Sequence, residues 1–103
     1  MTIKELYKGL KLIAPTAFDH FVKPQTLPYI VYIVPNTTPM AADNTNLINV
    51  LTVQIELYTQ VKDSALETSL ESFLSFTPFT KSEGYLTDSE MYMVTYQISM
   101  KGN

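Results

Sequence analysis

His20, with Asp19 before it, is the chain's single imidazole, and an imidazole beside a carboxylate is a usual starting point for general base chemistry. Glu67 and Glu71 are the other suggestive pair. Four residues apart on a helix, they share a face on which two carboxylates could divide acid and base roles. Neither pair reads far. On a strand, Asp19 and His20 point to opposite sides. A lone histidine cannot furnish a multi-histidine metal site. Glutamates one turn apart are ordinarily a solvated helix face. Gly9, Gly84 and Gly102 are the only glycines and form no phosphate-binding loop. The absence of cysteine removes disulfides, thiolate zinc sites and a cysteine nucleophile. The expectation is a protein without catalytic, metal or cofactor residues.

Tyr29, Tyr32, Tyr58, Tyr85, Tyr92 and Tyr96 could stack on nucleic-acid bases, but that needs basic residues among them, and these are scarce. All seven basic residues are lysines and net charge is −3. Without the guanidinium fork that grips phosphates and guanine edges, nucleic-acid recognition is not expected, nor is binding to anionic membranes. The tyrosines read as core and cross-strand packing, with protein interface as the other use.

Elements of ordinary kinds must hold these residues. The chain has 103 residues, 46% of them apolar, which suits a single domain, 1–103, with one modest core. No apolar run approaches the ~20 residues of a membrane span, and no secretory leader is read at the N terminus. Residues 2–14 predict a helix: Thr2 and Glu5 make a capping box, and Ile3, Leu6, Tyr7, Leu10, Ile13 and Ala14 share one face. Pro15 ends it. Residues 17–23 read as a short strand, and 28–35, apolar on both faces, as a strand covered on both sides. In 49–58, Leu51, Val53, Ile55 and Leu57 alternate with Thr52, Gln54 and Glu56, the pattern of a half-buried antiparallel strand. A second helix follows, capped by Asp63 or Ser64, with a Ser64–Glu67 capping box and a stripe of Leu66, Leu70, Phe73 and Leu74. Residues 79–86 and 91–100 read as a hairpin, with Tyr92, Val94, Tyr96, Ile98 and Met100 on one face. The fold class is α+β, a mostly antiparallel sheet with two amphipathic helices in the order α-β-β-β-α-β-β.

Two features point outward. Residues 35–47 read as a flexible loop, because Pro35 to Asn46 hold one charge and no large aliphatic or aromatic side chain except Met40. Loops of this length are usually functional or disordered. Asn36, Thr37, Thr38, Asp43, Asn44 and Asn46, with Met40 as an adaptable apolar contact, are candidates for ordering against a partner, the alternative being a passive connection. The second feature is charge. Lys4, Lys8 and Lys11 make the first helix basic, and Glu67 and Glu71 make the second acidic. These are either two solvated faces or the two halves of a head-to-tail contact between copies, a kind that closes into rings when the rotation allows.

The layout resembles a known family. It is carried by "IKELYKGLKLIAP", "LPYIVYIVP", a polar stretch, "VQIELYTQVKDSALETSLESFL" and the closing "SEGYLTDSEMYMVTYQI". Together these resemble the tail-completion, or tail-terminator, proteins of long-tailed bacteriophages, across nearly the whole chain and by layout rather than by an invariant motif. The resemblance implies an α+β fold and a structural role in the virion. A ring, commonly a hexamer, would sit on the head-proximal end of the tail tube, end its polymerisation and join it to the head. The implied partners are other copies of the chain, the tail tube protein and the head connector, with assembly in the host cytoplasm and no cofactor. A head-closure or other neck component is the neighbouring alternative, and a small-molecule-binding or regulatory domain a more distant one.

Overall fold

The computed structural model describes residues 1–41 and 47–102. Helix α1 (Ile3–Lys11) starts at the predicted capping box: Glu5 N–H donates to Thr2 Oγ1 (3.1 Å) and Thr2 N–H to Glu5 Oε1 (2.8 Å). Regular helix ends three residues sooner than the apolar pattern suggested. Ile13 and Ala14 N–H still bond back to the Leu10 carbonyl (3.0 and 3.2 Å), and Ala14 remains buried, so the helical spacing persists through one more turn.

Strand β1 (Thr16–Phe18) is shorter than the 17–23 expected and runs parallel to β2 (Tyr29–Ala41). It stops because Asp19 adopts φ 67°, a left-handed conformation that aspartate tolerates better than most residues. Asp19 N–H bonds Tyr32 O (2.8 Å), and the chain then turns away. Strands β3 (Leu47–Thr59), β4 (Phe79–Leu86) and β5 (Met91–Lys101) complete a five-stranded sheet in the order β1-β2-β3-β5-β4, antiparallel except at β1. The β4–β5 hairpin closes through residues 87–90, as predicted. Helix α2 (Ser64–Phe73) continues into a 3-10 turn, Leu74–Phe76. The α+β class and the predicted element order are both present.

Both helices lie on one face of the sheet. Leu6, Leu10 and Ala14 from the α1 region and Leu70 and Leu74 from the α2 region meet Ile30, Tyr32, Val53, Ile55, Leu57, Val94, Tyr96, Ile98 and Met100 in one core. Register explains the match: Ile30 is opposite Leu57, Tyr32 opposite Ile55, and Ile55 in turn opposite Tyr96, so alternate residues of three strands face the helices. Strand β2 is covered on both sides only in its first part. There Val31, on the other face, is buried next to segment 19–25, whose Phe21 packs edge-on against Tyr29 (5.4 Å).

The expected loop 35–47 is corrected by the structure up to residue 41 and at 47; residues 42–46 lie outside the described residues. Residues 36–41 belong to β2 and pair with 47–52 of β3 after a register shift between Ile33 and Asn36. The shortage of large apolar side chains suggested a loop, yet the ladder forms without them and tolerates two prolines. Asn49 O accepts from Gly102 N–H (2.7 Å), so the backbone of Asn49 points away from β2. Its partner Pro39 therefore occupies a non-hydrogen-bonded pair, where no N–H is required. Among the described residues the ring nitrogen faces an open edge, because β1 pairs with residues 30–32 of β2.

Gly9 of α1 lies against the Phe73 ring of α2. A Cβ there would lie 2.1 Å from Phe73 Cζ. Alanine normally stabilises a helix interior by about 1 kcal/mol over glycine. Gly9→Ala is nevertheless expected to lose about 1 kcal/mol on urea unfolding, because overpacking costs about 1–3 kcal/mol. Adding Phe73→Leu should recover most of that loss.

Candidate functional site

Lys4, Lys8 and Lys11 are exposed along α1, as predicted, and Lys11 Nζ lies 5.1 Å from the centre of the Tyr7 ring. Among the described residues, no side-chain carboxylate comes within 4 Å of these lysines.

The acidic face of α2 is corrected. Glu67 is buried, with 4% of its surface exposed, and Glu71 is half-buried. Lys62 Nζ reaches the two Glu67 oxygens (3.0 and 3.1 Å) and Glu83 (2.5 Å), while Lys81 Nζ reaches Glu67 and Glu71 (both 2.8 Å). Tyr96 OH donates to Glu71 (2.7 Å) and Tyr92 OH to Glu83. Lys81, then Tyr96, holds the Glu71 carboxyl below the usual carboxylate range. Lys62 and Tyr92 do the same for Glu83, and the paired carboxylates raise both lysines. Burial, with the bond to Glu71, pushes the Tyr96 phenol up. These glutamates fasten α2 to the sheet. The Ser64–Glu67 capping box does not form. Asp63 caps α2 instead, accepting from Leu66 N–H (3.1 Å).

Asn36, Thr37, Thr38 and Met40 lie exposed on the outer part of β2, presented by a paired strand rather than a loop. Asp43, Asn44 and Asn46 lie outside the described residues. The Asp19 carboxylate contacts His20 Nδ1 (2.9 Å), and both side chains are largely exposed. The left-handed turn, not strand alternation, brings them together.

Sequence reasoning did not single out the sheet face opposite the helices. Tyr29 and Tyr58 stack there across β2 and β3, with ring centres 5.1 Å apart. Glu56 accepts from Gln54 Nε2 (2.7 Å) and from Tyr58 OH (2.8 Å). Burial and the bond to Glu56 push the Tyr58 phenol up. Segment 19–25 rises beside this face and encloses a cleft of ≈ 580 Å³ whose lining includes Glu56, Tyr29, Tyr58, Val31, Phe21 and Met91. The cleft therefore offers a half-buried carboxylate, aromatic walls and neutral hydrogen-bond donors. Glu56 could have been noticed as a charge on the open side of a half-buried strand, but nothing local in the sequence announces the segment that walls it in.

Among the described residues, no group of three or more histidines, aspartates and glutamates is placed to hold a metal ion, and no helix is long and apolar enough to cross a membrane. No protein-family model matches the chain, and no curated protein matches it.

Proposed function

We propose that this protein is a structural component of a long-tailed phage that forms a ring at the head-proximal end of the tail tube, ends tube polymerisation and joins tail to head. Support comes from the layout of the chain and from one structural observation. The β2–β3 arm carries Asn36, Thr37, Thr38 and Met40 exposed along a strand held by backbone pairing. A paired arm loses less conformational freedom on meeting a partner than a loose loop does, so little ordering cost opposes contact.

Electron microscopy of isolated tail tubes mixed with the purified chain tests this. The expected result is a ring at one tube end and loss of further elongation. Tubes that neither bind the chain nor stop growing in its presence would overturn the reading, and binding to connectors alone would move it to a head-closure role. The arm gives a sharper prediction. Replacing Thr37, Thr38 and Met40 together with glutamate changes exposed positions only, so folding stability is expected to move by about 1 kcal/mol or less. Tube capture should fall at least about tenfold, because the new carboxylates must lose water at the interface and the apolar contact of Met40 is lost. Urea unfolding and quantitative tube pelldown separate the two effects.

A further inference from the structure

We propose that the cleft on the open sheet face receives lysine side chains from helix α1 of a second copy, with Glu56 as their counter-ion. The inference rests on the self-association in the proposed function and names the surfaces that make it. Glu56 is half-buried, and its hydrogen-bond partners, Gln54 and Tyr58, are neutral. Two donors leave lone pairs on a carboxylate unused. A charge in a partly desolvated place gains most from an opposite charge, and the adjoining Tyr29 and Tyr58 rings add cation–π attraction for an ammonium group. The other charged residues lining the cleft are Asp19, already against His20, and Lys23, which is not within 4 Å of Glu56. Asp88 and Glu90 flank the lining residue Ser89, so the surroundings are acidic on balance.

The complementary surface is at the end of α1. Lys8 and Lys11 are exposed without a side-chain carboxylate within 4 Å among the described residues. Leu12 beside them is 90% exposed, and Val22 on the cleft wall is 94% exposed, so an apolar contact can accompany the ionic one. The α2 glutamates, the other conceivable partners, are occupied within their own chain. Helix α1 and the cleft lie on opposite faces of the sheet. One copy can therefore use both at once, each toward a different neighbour. This is a head-to-tail contact that closes into a ring or continues as a filament, rather than a twofold dimer.

Sedimentation velocity on the full chain at high concentration and low salt tests the pairing. Glu56→Lys, and separately Lys8→Glu with Lys11→Glu, should each weaken association at least about tenfold, and all three in one chain should restore it to within about threefold of the original. Glu56→Gln keeps the shape and removes the charge, and should also weaken association if the Glu56→Lys variant folds poorly. Unchanged association in Glu56→Gln, no recovery in the triple variant, or an unsubstituted chain that stays monomeric both free and on tubes would each overturn the proposal. Tube capping by the same variants keeps the two readings apart. Capping that survives Glu56→Lys defeats the cleft pairing and leaves the terminator role standing. Association restored in the triple variant, by a chain that never caps tubes, supports the pairing and removes that role.

Discussion

Lys81→Met is expected to destabilise the fold by about 2–3 kcal/mol near neutral pH, an effect read from urea unfolding. Removing one partner of a buried ion pair costs about 3–5 kcal/mol because the other charge is left uncompensated. The lower figure applies here for two reasons: Lys62 still reaches Glu67, and the Lys81 side chain is itself 29% exposed. Methionine keeps much of the side chain's volume, so the loss is electrostatic rather than a cavity. The effect has a pH signature. Glu71 is held below its ordinary value of 4.5, chiefly by Lys81, so its contribution is present above that value and is lost as pH falls through the lower folded value. Lys81 is raised above 10.5, so its contribution is full below that value and disappears as pH rises through the folded value. The difference between variant and parent should therefore be flat from about pH 5.5 to 9.5 and narrow on either side. A difference that does not change on acidification would mean that packing, not charge, ties β4 to α2.

Leu70→Ala is expected to cost more, about 3–4 kcal/mol. Leu70 is fully buried beneath α2, and truncating a buried leucine removes its transfer energy and leaves a cavity, in all about 2–5 kcal/mol. Against a total stability of about 5–15 kcal/mol for a domain of this size, that is a large share. Leu66→Ala, one turn earlier and half-buried, should cost about 1–2 kcal/mol. The contrast checks which side of α2 faces the sheet: equal losses would place the helix in a different rotation. Amide exchange should show α2 loosening before the β3–β5 ladder in Leu70→Ala, since α2 loses its central contact and the ladder keeps its own.

The stripe that contains Leu70 was legible because a repeat of three and four residues is written into a single segment. So were the Thr2–Glu5 cap, the alternation through β3 and β5, and the hairpin closing at residues 87–90, all of which depend on near neighbours in the chain. Glu67 was not legible. Lys62 lies five residues before it and Lys81 fourteen after, and only the folded sheet brings Lys81 to α2. The end of β1 was missed because one aspartate turns into the left-handed region, which composition does not reveal. The outer part of β2 was misread for a different reason. Side-chain hydrophobicity says little where backbone pairing supplies the order, and Pro35 and Pro39 stand in a strand with an open edge among the described residues. The cleft at Glu56 depends on segment 19–25 returning over the sheet, a tertiary event with no local signal.

Those prolines have a consequence for how the chain behaves in a crowd. The uncovered side of β2 is a row of backbone groups on which another extended chain could grow, the first step toward fibrous aggregation. Pro39 supplies no donor to such a newcomer, and its ring obstructs close approach. Pro35, at the register shift, interrupts the same edge nearer the core. That border thus resists open-ended growth, while the sheet face opposite the helices remains available. Copies gathered at high local density are steered toward contacts of finite extent made by side chains, which can separate and re-form, and away from continuous ladders, which do not readily come apart.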